Sequence, residues 1–200
     1  MLLLAALLPA HADPLLDRVV ARAGDPTREP GLAFTFEVGE TARAHRWDIP
    51  GQKAEVRWTD KDGTACTVVV PVPYTGQDPL QQQAWAYFTN DQYWLLAPSK
   101  WKDPGVRVTA TGNDLTITFE AVGLTPGDRY VAHIDPVTAD VVGWDYVLES
   151  GKTGAWTWAP PTAVGGLHLS LARTSPERTI RFTGVTSAPM PLGPPGGACK

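Results

Sequence analysis

Leu115 to Glu120 alternates without a break. Leu115, Ile117 and Phe119 fall on one side of an extended chain, and Thr116, Thr118 and Glu120 fall on the other. That is a strand with one dry face and one wet face. It lies in a longer stretch, Tyr93 to Leu148, made of short apolar or alternating runs. Asp-Pro-Gly, Gly-Asn-Asp, Thr-Pro-Gly-Asp and Asp-Pro-Val-Thr separate those runs. Pro presets φ and Gly accepts positive φ, so these separators predict turns and the stretch predicts an antiparallel meander. The dry face of such a sheet must be covered, or it must be used.

The remaining chain extends this pattern in both directions. Asp13 to Ala23 places Leu15, Leu16, Val19, Val20 and Ala23 on one helical face, with Asp13 as cap, Pro14 in the first turn and Gly24 past the end. Strands follow at Leu32–Glu40, Thr41–Ile49, Lys53–Thr59 and Cys66–Val72, with turns at Pro50-Gly51-Gln52 and Lys61-Asp62-Gly63. Asp78–Phe88 changes to helical spacing, with Pro79 near its start. The meander comes next, with Tyr93 and Trp94 in its first run. Closing strands are expected at Trp156–Pro161, Leu167–Arg173 and Glu177–Val185, with a turn at Gly165-Gly166. The segment 189–200, with four Pro and three Gly, is expected to be disordered.

Composition narrows the reading. Two hundred residues, 43% hydrophobic and 19% charged, describe one globular domain with a sizeable core, placed at residues 13–188. A net charge of −4 without blocks of like charge gives no footprint for nucleic acid. Residues 1–12, MLLLAALLPAHA, form an apolar run ending in Ala10-His11-Ala12, the small-x-small pattern of a signal peptide cleaved before Asp13. No Cys stands at the cleavage point for lipid attachment, so a periplasmic or secreted protein without a lipid anchor is expected. Cys66 and Cys199 are the only cysteines. An oxidising compartment permits a bridge between them, and two free thiols are the alternative.

Candidate chemistry is sparse. His11, His45, His133 and His168 have no metal-ligand spacing, and the chain lacks a nucleophile elbow, a phosphate loop and a His-Glu-x-x-His helix. No catalytic residue, metal site or cofactor is expected. In His45-Arg46-Trp47-Asp48, His45 and Trp47 share one strand face and Arg46 and Asp48 the other. The structural alternative for this cluster pairs Arg46 with a cross-strand carboxylate and packs Trp47 in the core. The turns at Asp135-Pro136 and Leu124-Thr125-Pro126-Gly127-Asp128 need no explanation beyond turn chemistry. Eight Trp is a large number for this length. Trp85, Trp94, Trp101, Trp144, Trp156 and Trp158 lie on or beside expected sheet elements, where they serve either core packing or a ligand cavity.

The order helix, strands, helix, meander carries a set of specific segments: Tyr93-Trp94-Leu95-Leu96, Lys102-Asp103-Pro104-Gly105-Val106, Leu124-Thr125-Pro126-Gly127-Asp128, and Ile134-Asp135-Pro136 followed by Trp144. Together, over about Leu15 to Val185, they resemble uncharacterised exported bacterial proteins related to the LolA/LolB-like lipoprotein-carrier superfamily. The resemblance implies a mainly β fold with helices: a half-open antiparallel β-barrel of about ten or eleven strands wrapped over two or more short helices. In the known carriers the concave apolar side holds acyl chains. The main rival fold is a two-sheet sandwich, which has no room for helices between its layers. Three function classes follow in order: a non-enzymatic binder of lipid, lipoprotein acyl chains or another apolar ligand; a periplasmic interaction or sensing module; an enzyme. The first implies transport and a membrane-associated partner protein. The expected cavity wall comprises Leu115, Ile117 and Phe119, with Tyr93, Trp94 and Trp144 from neighbouring strands. Arg46 is expected near the mouth, in a place comparable to an arginine that helps close the carriers' cavity.

Overall fold

The computed structural model describes residues 13–200, so the apolar run 1–12 and its expected cleavage site lie outside the described residues. The first helix, α1, spans Pro14–Ala23 as its capping signals require: Asp13 accepts from the Leu15 and Leu16 amides at 2.9 and 3.4 Å. Gly24 ends it at φ +89°, where a side chain would also meet Gly166 O at 2.4 Å, so both the conformation and the close approach demand glycine. Four antiparallel strands follow: β1 Leu32–Val38, β2 Thr41–Asp48, β3 Lys53–Thr59 and β4 Ala65–Pro71. Helix α2 covers Pro79–Leu96, capped by Asp78 on the Gln81 amide. Then come β5 Val106–Thr111, β6 Asp114–Phe119, β7 Arg129–Ile134, β8 Val141–Val147, β9 Thr153–Trp158, β10 Pro161–Val164, β11 Leu167–Ser170, β12 Ala172–Thr174, β13 Thr179–Ser187 and β14 Gly196–Cys199.

Twelve of the strands form one sheet in the order β14-β4-β3-β2-β1-β13-β12-β9-β8-β7-β6-β5, and β10 and β11 make a separate hairpin. The ends of this order, β14 and β5, do not pair, so the sheet is open. It is also curled. Val38 of β1 and Arg43 of β2 border the same cavity as Tyr130 of β7. In a flat sheet, β2 and β7 would stand about 29 Å apart at about 4.8 Å per strand step. Both helices pack on the inner face of the curl, where Val19 of α1 and Leu95 and Leu96 of α2 join one core with Phe34, Leu115, Ile117 and Phe182. A single half-open sheet over helices is therefore the architecture, and the sandwich is not. The main sheet has twelve strands against the ten or eleven that the resemblance implies, and the short strands β10, β12 and β14 have no periodic run of their own in the sequence.

Two expectations are corrected. Helix α2 continues eight residues beyond Phe88, so Tyr93 and Trp94 lie on a helix rather than a meander strand. An apolar run such as Tyr-Trp-Leu-Leu has no period that separates a strand from a buried helical turn. The tail is not disordered either. From the end of β13 it crosses the ends of β1 to β3, where Lys53 donates to Leu192 O at 2.8 Å, and β14 then pairs with β4. Cys66 and Cys199 are directly opposed in that pair, with Cα atoms 4.0 Å apart, and are disulfide-bonded. The Gly-Gly-Ala-Cys segment offers little side chain to bury, but β4 offers an unpaired edge that its backbone satisfies.

The C-terminal end of α2 carries a further tie. Trp94 O would normally accept from the amide of residue 98, but that residue is proline and has none. Arg173 supplies the missing donor, its Nη2 lying 2.8 Å from Trp94 O while Nη1 bonds Ser170 O at 2.5 Å. The guanidinium is fully buried and lies 3.7 Å from the Trp158 ring centroid. Burial lowers its pKa to about 9, so it is still charged at neutral pH, facing the negative end of the helix.

The disulfide closes a separation of 133 residues. Removing it by Cys66→Ser with Cys199→Ser is expected to lower unfolding free energy by about 4–5 kcal/mol. Urea denaturation checks the stability, and limited proteolysis should cut the variant first between Pro189 and Gly196. An unchanged midpoint would show that backbone pairing alone holds the strap.

Candidate functional site

Helix α2 intermixes polar and apolar residues around its circumference instead of showing one apolar stripe. Ala84 and Phe88 press on β3 and β4 in a core with Val56, Val68 and Val70. Trp85, Thr89, Asn90, Tyr93 and Trp94 point the other way and border open space. That space is two cavities of about 260 Å³ and about 240 Å³ which share Asn90, Trp94 and Tyr130. Jointly they fall within the ordinary range for small-ligand sites, about 300–1,000 Å³.

The larger cavity lies between α2, Val106 and Phe119 at the sheet edge, and the loop Val122–Thr125. Its rings form a continuous array. Tyr93 meets Phe119 at 5.8 Å between centroids, and Phe119 meets Tyr130 at 6.0 Å, both edge-on. The loop is fastened by Asp128, whose carboxylate accepts from Thr125 Oγ1 at 2.7 Å, Tyr130 Oη at 3.1 Å and the Glu149 amide at 2.9 Å. Burial, then the Asp128 charge, pushes the Tyr130 hydroxyl above its ordinary range, and burial does the same to Tyr93, so both stay neutral. The smaller cavity is floored by Trp94, Tyr130, Tyr146 and Trp156, with Arg43, Lys152 and Arg178 around it. Tyr146 fits there because Gly154 is opposite it, and a Cβ on Gly154 would sit 2.4 Å from Tyr146 Oη.

Beneath the shared residues lies a buried charge network. Asp91 of α2 is wholly inaccessible and accepts a bidentate pair from Arg43, Nε at 2.7 Å and Nη2 at 2.6 Å. His45 Nε2 bonds the same carboxylate at 2.8 Å, and Asn90 Nδ2 donates to it at 2.8 Å. Burial opposes ionisation of Asp91, but the His45 and Arg43 hydrogen bonds and charges overcome it and hold the carboxyl below its usual range. For His45 burial dominates, the Asp91 contact only partly offsets it, and Arg43 repels a second positive charge, so the imidazole is held neutral below its ordinary value. The network is an Arg43–Asp91 ion pair with a neutral histidine donor, whose ring stacks on Phe34 at 4.7 Å.

The expected site residues divide among these surroundings. Tyr93, Trp94 and Phe119 line the larger cavity, and Trp94 also lines the smaller one. Trp144 is buried behind them, 5.0 Å from the Trp94 ring and 4.7 Å from Tyr130. Leu115 and Ile117 share the inner face as expected, but both are fully buried in the core and line neither cavity. Arg46 is not at a cavity mouth. It faces the opposite side of β2 and pairs at 3.5 Å with Glu55, its neighbour across the ladder. The inward arginine is Arg43, and the signal for it was available: Arg43 has the same parity as His45 and Trp47. Tyr130 was also missed, although it stands opposite Ile117 in register.

Two further titratable clusters lie away from the cavities. His133 lies on the outer face between Asp114 at 2.9 Å and Asp145 at 3.2 Å, and the Asp114 hydrogen bond chiefly raises its pKa. Asp60 sits beside Cys66 and Cys199, but those sulfurs are committed to each other. Among the described residues no helix is long and apolar enough to cross a membrane.

No protein-family model matches the chain, and no curated protein matches its sequence. Solved structures do resemble it. A LolA superfamily protein from Nitrosomonas europaea is 8% identical with a TM-score of 0.49, the match covering 88% of this chain and 93% of that one. A DUF1329 family protein from Desulfovibrio piger is 14% identical with a TM-score of 0.46, covering 88% and 94%. A domain described as an outer membrane lipoprotein-sorting protein, from Vibrio parahaemolyticus, is 10% identical with a TM-score of 0.44, covering 86% and 90%.

The His45 environment makes a pH prediction. Its folded pKa lies below the ordinary 6.5, so the unfolded chain binds the proton more readily. The stability linked to His45 is full above 6.5 and is lost as pH falls through that value towards the folded pKa. Urea midpoints measured from neutral pH down to mildly acidic pH should therefore decline, and His45→Gln should flatten the decline whatever its stability at neutral pH. An equal slope in the variant would place the acid sensitivity elsewhere.

Proposed function

We propose that this chain is an exported, non-enzymatic binding protein for an apolar ligand, a lipid or a lipoprotein acyl chain, held on the inner side of its half-open sheet. The observation that carries this reading is the pair of neighbouring aromatic-walled cavities that both border Asn90, Trp94 and Tyr130. An acyl chain needs no polar recognition there. Each buried methylene contributes about 0.8 kcal/mol, so partial enclosure of a hydrocarbon chain suffices for binding. The Cys66–Cys199 bridge supports an oxidising compartment, the periplasm or the exterior. In this reading the protein receives cargo from, or passes it to, a membrane-associated partner.

A neutral apolar dye, N-phenyl-1-naphthylamine, tests the reading through its own emission and through energy transfer from Trp94 and Trp85. The unmutated protein should bind it. Phe119→Glu places a charge on the wall of the larger cavity and should weaken binding about ten-fold or more, from the loss of one ring's contact. Thr118→Glu, on the opposite face, should leave binding intact. Equal loss in both variants, or no binding by the unmutated protein, overturns the proposal and leaves an interaction module as the better reading.

A further inference from the structure

The two cavities differ in charge. In the larger one Lys100, the one lining cation among the described residues, is bound to Asp103 at 2.8 Å. Around the smaller one stand Arg43, Lys152 and Arg178, and among the described residues no aspartate or glutamate lines it. The charge of Arg43 is committed to Asp91. Lys152 and Arg178 are exposed, and among the described residues neither forms an ion pair. Arg178 also lies 5.6 Å from the centroid of Trp156, which floors the cavity. A chain of net charge −4 thus sets two uncommitted cations at one end of an aromatic enclosure.

We propose that the smaller cavity takes the anionic head group, carboxylate or phosphate, of a single-chain amphiphile whose hydrocarbon lies in the larger cavity. This rests on the apolar-ligand reading above and adds the polarity and orientation of the ligand. The geometry suits it. An anion at this rim gains the Arg178 fork and the Lys152 point charge while staying in contact with water, so it avoids the cost of deep desolvation. The hydrocarbon passes Trp94 and Tyr130 into walls made of Tyr93, Phe119 and Val106. Reversed, the ligand would lose both cations and lay hydrocarbon against charged side chains.

The test compares cis-parinaric acid, a fluorescent anion, with its neutral methyl ester at neutral pH on the full chain, with inorganic phosphate as competitor. The acid should bind about ten-fold more tightly than the ester at low ionic strength, a difference of about 1.4 kcal/mol. Lys152→Gln with Arg178→Gln should weaken the acid to the level of the ester and leave the ester unchanged, and added salt should act in the same direction. Phosphate alone should displace neither probe. Equal affinities for acid and ester, or equal loss of both in the double variant, overturn the head-group inference while leaving the apolar-ligand reading in place. Displacement of the acid but not the ester by phosphate would make the rim a site for free anions and overturn it as well. Binding of neither probe removes the underlying function itself.

Discussion

An open, curled sheet exposes an apolar inner face that it cannot cover with its own strands, and everything distinctive about this molecule follows from how helix α2 is held against that face. Two arginines do the holding, Arg173 fully buried and Arg43 partly so. Arg43 grips Asp91 near the middle of the helix, and Arg173 caps the carbonyl of Trp94 that Pro98 leaves without a donor. Neither contact is a surface ion pair of small worth. Both are desolvated, both are hydrogen-bonded at short range, and breaking either would strand a buried polar group at about 1–3 kcal/mol or more. Because α2 is fixed at two points, it shields the sheet on one side and stands away from it on the other. The cavities are the space it leaves.

That arrangement also explains which parts of the structure were legible in the sequence. The strands of the meander could be read because their inner and outer residues alternate, and because Asp-Pro-Gly and Gly-Asn-Asp leave few choices for the turns. Residues whose position depends on tertiary contact could not be read in the same way. Tyr93 and Trp94 continue helix α2, with Leu95 and Leu96 in the core and the two rings bordering the cavities, so the unbroken apolar run showed no period to separate it from a strand. The tail became a strand because β4 needed an edge partner and Cys66 lay opposite Cys199. Short strands such as β12 exist mainly to pass the sheet from β9 to β13, a role with no local signature.

The candidate site was half legible for a related reason. Strand parity identifies a face, but it does not say whether a residue on that face borders open space or solid core. Leu115 and Ile117 share a face with Phe119, yet only Phe119 reaches a cavity, because at the strand end it is packed against the core on one side only and is partly buried. Parity did carry enough information to prefer Arg43 over Arg46, since His45 and Trp47 were already assigned inward. Resemblance drew attention to Arg46, which pairs with Glu55 across the ladder, whereas alternation alone places Arg43 on the face that borders the smaller cavity.

Aromatic side chains are a physical requirement of such a site rather than an ornament of it. A cavity lined by flexible aliphatic chains can shrink by rotamer changes, because dispersion rewards any contact that fills the void. Here Trp94 is locked edge-on between Trp144 at 5.0 Å and Trp156 at 5.5 Å, and Trp144 is in turn packed on Trp158 at 4.9 Å. Rings with two side-chain torsions, each wedged against another ring, cannot swing inward without dislodging the layer behind them. The excess of tryptophan therefore need not be divided between core packing and cavity lining as alternatives. Trp101, Trp144 and Trp158 are buried so that Trp94 and its neighbours can face open space without collapsing into it.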